Sequence, residues 1–393
     1  MIKNIDNPIN KDKIAIVAIG YNRLKGLARL LDSINSASYK SNDIPLVISI
    51  DASGDLELYD FVKNFKWNHG VKYVNIQENR LGLKEHIFQC FSLSKYFKGV
   101  IILEDDLFVS PYFYDYAMST LDKYGNDEKV AGIALYKNEY DGFSNLPIQH
   151  IHNGSDVFAW QTVCSWGEII NERMWNNISK WIEKFDENFE PFDMNDTIKK
   201  WTRAWSKYVY AYMLETDSYF IFPHISLTTN FNDGGGEHGG GNSSIVQVSL
   251  LQGYKEYKLL DLSELEQYDV YGQNTKIASW LGLDKNELSV DFFGNRTKYV
   301  GRYVLTPFKL PYKRVKGFAL CMRPWELNIK YNREGNDIFL YDRGSLVLES
   351  INKNKPKYSY IDYHLGRYIS NVGLVFFINL YWKKIKHKIK SLK

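Results

Sequence analysis

Hydrophobic positions along the chain fall into runs whose period switches between that of a strand and that of a helix. Residues 13–20 (KIAIVAIG) are almost continuously apolar. A polar turn, Tyr21-Asn22-Arg23, follows, and then Leu24, Leu27, Leu30 and Leu31 recur at helical spacing. A second apolar run, residues 45–50, ends at Asp51 and a Ser-Gly turn, and a third, residues 71–76, ends at Gln77-Glu78-Asn79. Residues 83–96 predict a helix, and residues 99–103 (GVIIL) a strand that delivers Glu104, Asp105 and Asp106. Further along, the pattern predicts a helix over 111–124 and a strand over 130–134. Helices are predicted over 166–185, carrying Trp175 and Trp181, and over 197–213. Short extended pieces are predicted at 219–222 and 225–229.

Apolar strands alternating with helices predict an α/β fold, a mostly parallel sheet covered by helices. In such sheets the ligand crevice lies beyond the carboxyl ends of the strands. Tyr21-Asn22-Arg23, Asp51 and Glu104-Asp105-Asp106 are distant in sequence, yet this topology gathers them on one edge.

Residues 234–241 (GGGEHGGG) hold six glycines and cannot fix their own shape. They are either a surface linker or a lid, and the acid and imidazole among them, Glu237 and His238, favour the lid. Past about 245 the chemistry thins, although residues 298–347 alternate enough to suggest several strands. The expected division is a catalytic domain over 1–245, a mixed region over 246–370 and a tail over 371–393. In the tail, an apolar-aromatic run at 372–382 precedes Lys383, Lys384, Lys386, Lys388, Lys390 and Lys393. The run is too short to span a bilayer. It either lies on an anionic leaflet, a peripheral contact, or docks on the protein with a solvated basic end.

A net charge of +3 on 393 residues argues against a nucleic-acid partner. Three widely spaced cysteines, Cys90, Cys164 and Cys321, form no CxxC pair, and the N-terminus shows no apolar signal segment. Both point to a cytoplasmic setting. Aromatics reach 16%, which suits a protein that stacks on sugar rings and equally suits an AT-rich coding sequence.

Three consecutive carboxylates at a strand end are costly unless something neutralises them. A divalent cation, Mn²⁺ or Mg²⁺, does so with one or two carboxylates, phosphate oxygens and water, the arrangement a nucleoside diphosphate needs. Residues 99–116 (GVIILEDDLFVSPYFYDY) resemble the donor-site segment of GT-A glycosyltransferases. They are similar to the N-acetylglucosaminyltransferase I family and to bacterial family-2-like nucleotide-diphospho-sugar transferases. The likeness extends over about 13–241. IVAIGYNRLKGLARLLDSI resembles the first strand and helix of these enzymes, ISIDASGD the second strand with its uracil-binding acid, and ENRLGLKEHI the segment beneath the diphosphate. VCSWGEIINERMW resembles their Trp-Gly acceptor-side helix, and FPHISLTTNFNDGGGEHGG their closing loop.

The resemblance implies a GT-A domain that takes a UDP-sugar. Asp106 would be the metal ligand, with Asp105 near the ribose, Glu104 on the donor sugar and Asp51 on the uracil; His238, by its own chemistry, would either complete the metal shell or touch the diphosphate. Tyr21 and Arg23 would line the nucleotide pocket, and Arg80 or Lys84 would meet the diphosphate. Trp160, Trp166 and Trp205 are expected either to stack on sugars or to sit in the core. The acceptor base breaks the pattern. Trp205 stands where these families place a Trp before their catalytic Asp, but Ser206 and Lys207 follow it. Glu237, Asp196 and Asp193 are the substitutes.

The expected activity is therefore metal-dependent, inverting sugar transfer onto a glycan or lipid-linked glycan, as in capsule or lipopolysaccharide synthesis. Two rivals remain: a sugar-phosphate nucleotidyltransferase, for which YNRLKG is a poor signature, and a carbohydrate-binding protein that has lost its activity.

Overall fold

The structure, a computed structural model, describes residues 10–233 and 246–347 and scattered positions between 363 and 386. Two compact units are present: Met1–Glu139 with His150–Thr275, and Tyr140–Gln149 with Lys276–Lys393. The boundary expected near 245 thus lies inside the first unit, and the second takes a ten-residue excursion from the middle of the first.

The first unit opens with β1 (Ile14–Gly20), α1 (Leu24–Asn35), β2 (Leu46–Ile50), α2 (Leu56–Asn64), β3 (Lys72–Ile76), α3 (Leu83–Phe91) and β4 (Gly99–Glu104). It continues through β5 (Leu107–Val109), α4 (Phe113–Tyr124), β6 (Val130–Ala134), β7 (Val157–Trp160), β8 (Glu168–Ile170) and α5 (Glu172–Ile182). α6 (Asp196–Lys199), α7 (Ser206–Thr216), β9 (Tyr219–Pro223), β10 (Thr228–Asn230) and β11 (Gln267–Tyr268) complete it.

Nine strands form one sheet in the order β11-β7-β9-β6-β8-β4-β1-β2-β3. Strands β1 to β4 are mutually parallel, and β6 and β9 run in the same direction. β8 runs against both its neighbours, and β7 runs against β9 and parallel to β11. β1, β2 and β6 are buried along their whole length, as expected for strands covered on both faces. Helix α1 buries Leu27, Leu30, Leu31 and Ile34, the stripe that the sequence spacing predicts.

Two expected helices are interrupted. Residues 166–185 begin with a strand, not a helix. Gly167 adopts φ +100°, a left-handed conformation outside the helical region, and β8 pairs between β4 and β6 before Asn171 caps α5 by accepting from Met174 N at 2.9 Å. Residues 197–213 form the single turn α6, then a break, then α7. Lys207 Nζ donates to the carbonyl of Trp201 at 3.0 Å and Trp205 turns inward at 2% exposure, which holds residues 200–205 out of the helix.

The second unit contains α8 (Ile277–Trp280), β12 (Leu288–Val290), β13 (Tyr303–Thr306), β14 (Tyr312–Phe318), α9 (Glu326–Lys330) and β15 (Ile338–Leu346). Its sheet has the order β12-β13-β15-β14, and Val304, Leu310, Phe339 and Tyr341 form its core. Among the described residues no helix is long and apolar enough to cross a membrane.

β8 carries an unusual core residue. Glu168 is 1% exposed, and neither carboxyl oxygen has a hydrogen-bond partner among the described residues. Burial, with the charge of Glu104 nearby, pushes this carboxyl well above the usual carboxylate range. The folded chain therefore keeps a proton that the unfolded chain releases, so Glu168 lowers stability as pH rises through the ordinary carboxylate range. Replacing it by the neutral Gln should raise the unfolding midpoint relative to wild type at about pH 8, with the advantage shrinking toward about pH 4. Thermal melts across pH check this, and parallel curves for the two proteins would contradict it.

Candidate active site

The parallel strands bring the polar ends of their apolar runs to one rim. Register places Ile19 of β1 beside Glu104 of β4, Gly20 beside Ile50 of β2, and Ile50 beside Ile76 of β3. Beyond that rim lies a cleft of about 700 Å³. Tyr21, Asn22 and Arg23 after β1, Asp51 after β2, Arg80 to His86 around the start of α3, and Glu104 and Asp105 after β4 all line it.

The acidic turn is set tightly into the fold. After Asp106 the chain enters β5, which pairs antiparallel with β10, and Phe231 N donates to the carbonyl of Asp106 at 2.9 Å. On the other side Gly26 of α1 approaches so closely that a Cβ there would lie 2.6 Å from the carbonyl oxygen of Asp105. Arg23 spans both acids, hydrogen-bonding Asp105 through Nη2 and lying 3.4 Å from Asp106 Oδ2 through Nη1. Burial pushes the Asp105 carboxyl up to about 6 against the opposing pull of Arg23. Burial also works against the charge on Arg23, but the two aspartates outweigh it and its pKa is raised. A second pair, Arg29 with Asp233 (Nη1 to Oδ1 3.2 Å), anchors the residues after β10, and the Arg29 guanidinium lies 3.9 Å from the centre of the Phe231 ring.

Asp106 Oδ1 is buried and has no hydrogen-bond partner among the described residues. An orphaned carboxylate oxygen beside a second carboxylate fits a hard divalent cation, which binds through one or two protein carboxylates when phosphate supplies the remaining oxygens. No group of three metal-ligating side chains occurs among the described residues.

Asp51 is 4% exposed and ties the loop before α3 to the end of β2. Oδ1 accepts from Ala52 N at 2.9 Å and from Leu81 N at 2.8 Å, and Oδ2 accepts from Gly82 N at 2.9 Å. Gly82 precedes α3 with φ +79°, where a side chain would be strained. A carboxylate offers about four lone-pair positions, so three amides leave one free for a ligand donor. Behind this loop His86 Nε2 meets Ser49 Oγ at 2.7 Å, and burial holds the imidazole down at about 4, neutral at physiological pH.

The rest of the cleft wall is basic. The Arg80 guanidinium stacks 4.8 Å from the centre of the Tyr21 ring, and Lys84 lies 5.0 Å from the Tyr208 ring and 3.4 Å from Glu85. The break between α6 and α7 adds Thr202 and Arg203, which helical periodicity did not mark. A Trp-Thr-Arg-Ala-Trp stretch inside an expected helix was the available signal.

Other expected residues lie elsewhere. Asp193 accepts from Tyr271 OH at 2.9 Å and Asp196 opens α6, and neither lines the cleft. Trp205 packs edge-on against Phe91 in the core, leaving no ring face for a sugar. Trp160 is likewise in the core, 3% exposed. Trp166 is half-buried and meets Tyr136 edge-on at 4.7 Å on the same rim, outside the cleft lining. Glu237, His238 and the glycine-rich loop lie outside the described residues.

No protein-family model matches the chain, and no curated protein matches it. Solved glycosyltransferase structures are similar to it. S. aureus TarS 1–349 has a TM-score of 0.35 and 11% identity over 55% of this chain and 59% of that one. The mannosyltransferase PcManGT from Pyrobaculum calidifontis, in complex with GDP-Man and Mn²⁺, has 0.31 and 13% over 44% and 49%. GalNAc-T7 with UDP, GalNAc and Mn²⁺ has 0.38 and 14% over 56% and 43%. The matched region spans less than two thirds of the length of each of these structures. At such scores the likeness says nothing of activity.

The role of Asp51 as an anchor has a measurable consequence. In Asp51→Ala the amides of Leu81 and Gly82 lose their acceptor, which should cost about 2 kcal/mol of stability and accelerate hydrogen exchange at those two amides. Unchanged exchange there would mean that water replaces the carboxylate without cost.

Proposed function

We propose that the first unit is a glycosyltransferase whose cleft takes a nucleoside diphosphate sugar, with UDP as the nucleotide, and passes the sugar to a glycan. The observation that carries this reading is the meeting, in one cleft, of the acids Glu104 and Asp105 with a basic wall of Arg80, Lys84 and Arg203, while Asp106, next in the chain, keeps a buried oxygen without a partner among the described residues just behind the lining. A diphosphate needs both: cationic side chains to pair with its charged oxygens and a site for a divalent metal. The proposal for this chain stands on its own cleft chemistry.

Asp106 would hold Mn²⁺ or Mg²⁺, with His238 as a second ligand proposed from the sequence. Such an ion, when bound, offsets the charge that gathers on the leaving diphosphate. Arg80 and Lys84 bind the diphosphate, Tyr21 and Arg23 line the nucleotide pocket, and the free lone pair of Asp51 receives the uracil imide. Asp105 faces the ribose and Glu104 the donor sugar. The transfer is proposed to invert the anomeric carbon. Its base is sought among Glu237, Asp193 and Asp196, with Glu237 ahead because the other two do not line the cleft.

The setting proposed is surface polysaccharide synthesis, capsule or lipopolysaccharide, at the cytoplasmic membrane. The described tail residues Val375, Ile378, Tyr381 and Trp382 are helical and exposed, and the sequence around them is basic, which supports peripheral contact with an anionic leaflet.

Arg23 already neutralises the acid pair, and this favours one alternative: donor binding without a metal. Calorimetric titration of UDP with and without Mn²⁺ separates the two. Metal-dependent binding that falls by about a hundredfold in Asp106→Ala is the expected result. Equal affinity without metal would transfer the role to Arg23, and the absence of binding under either condition would defeat the donor reading.

A further inference from the structure

The rim that carries the cleft continues past β8 to the carboxyl ends of β6 and β9, which run parallel to β4. Neighbouring strands lie about 4.8 Å apart, so the end of β6 is roughly 10 Å from that of β4, a separation that a short saccharide spans. Trp166 and Tyr136 lie between the two.

Beyond them is a cluster of cationic and imidazole groups. Lys137 follows β6, its backbone fixed by donation to Ser226 Oγ at 2.9 Å. Among the described residues its half-buried ammonium has no hydrogen-bond or ion-pair partner. His224 follows β9, and its buried Nε2 has no partner among the described residues. His152 stacks on the His224 ring at 4.4 Å, and His150 lies behind against Phe158 at 4.0 Å, with both ring nitrogens unpartnered.

The one acid set among these groups is already engaged: Asp156 binds Lys255 Nζ at 2.8 Å and the backbone N of Lys258 at 2.8 Å. Glu139, exposed two residues on, pulls weakly on Lys137, yet burial still lowers the lysine pKa. Burial and the neighbouring His152 and Lys137 hold His224 down at about 3. His152 Nδ1 accepts from Gly154 N at 3.2 Å, but the unpartnered nitrogens of His150 and His224 beside a lysine are unfavourable unless a ligand binds them.

We propose that Lys137, His152 and His224 form an anion-binding subsite on the rim, which takes a phosphate or carboxylate carried by the acceptor glycan. The acceptor part of this assignment rests on the glycosyl-transfer reading; the anion site does not.

Histidine ring NMR on the full chain tests it, with glucose 6-phosphate, glucose and inorganic phosphate as probes. Glucose 6-phosphate should move the His152 and His224 signals saturably, and glucose should not. Lys137→Met should weaken that binding roughly tenfold, as should His224→Gln. Both variants should melt no lower than wild type and keep its UDP affinity. Unmoved histidine signals, or wild-type affinity in Lys137→Met, would overturn the subsite while leaving the donor reading intact. Inorganic phosphate binding as tightly as the sugar phosphate would overturn the acceptor assignment. Saturable sugar-phosphate binding in a chain that fails to bind UDP would keep the anion site and remove only its role as acceptor subsite.

Discussion

Arg23 lying across Asp105 and Asp106 is the interaction on which the cleft depends. Two adjacent carboxylates at the end of a fully apolar strand would repel each other in a place where water cannot screen them. The guanidinium is planar, carries its charge at any physiological pH and presents several donors at once, so one side chain can serve both acids. The same constraint explains the neighbouring glycine. Gly26 lets α1 approach the carbonyl of Asp105, and any side chain there would push the acidic turn away from the arginine. The pairing of β5 with β10 then fixes the far side of the turn.

Asp51 shows the same economy in a different form. Its carboxylate closes the β2 end against the start of α3 by receiving three backbone N–H groups. Those bonds position Arg80, Leu81 and Gly82 against Tyr21, so one buried acid sets the geometry of the basic wall opposite. On the proposed reading a residue of this kind serves folding and binding at once. For that reason its substitution has to be read by local exchange as well as by affinity.

How much of this was legible in the sequence depends on local patterning. The β1 to β4 half could be read because each strand is an apolar run ending in a polar turn, and topology alone then brought Tyr21, Arg23, Asp51, Glu104 and Asp105 to one cleft. β8 could not be read that way. Glu-Ile-Ile continues into the apolar spacing of α5, and only the extended cap residue Asn171 separates the two, while Gly167 with its positive φ sets the start of β8. Arg203 was hidden for a similar reason. It faces the cleft because the chain breaks between α6 and α7, and the break depends on Trp205 entering the core. Trp205 itself could be read equally well as a stacking residue or a core residue, and tertiary burial decided between them.

The contrast between the two ends of the rim has a physical basis. At the β1–β4 end, opposite charges are matched side chain to side chain, and the orphaned oxygen of Asp106 leaves room for one further cation. At the β6–β9 end, the one well-placed acid, Asp156, is spent on Lys255 and a backbone amide, and the remaining donors face each other. On the proposed reading, a metal-bound diphosphate would occupy the first end, where acids and bases are paired, and a negatively charged acceptor the second, where the nitrogens lack an acid of their own. Orientation along the rim would then come from charge as much as from shape.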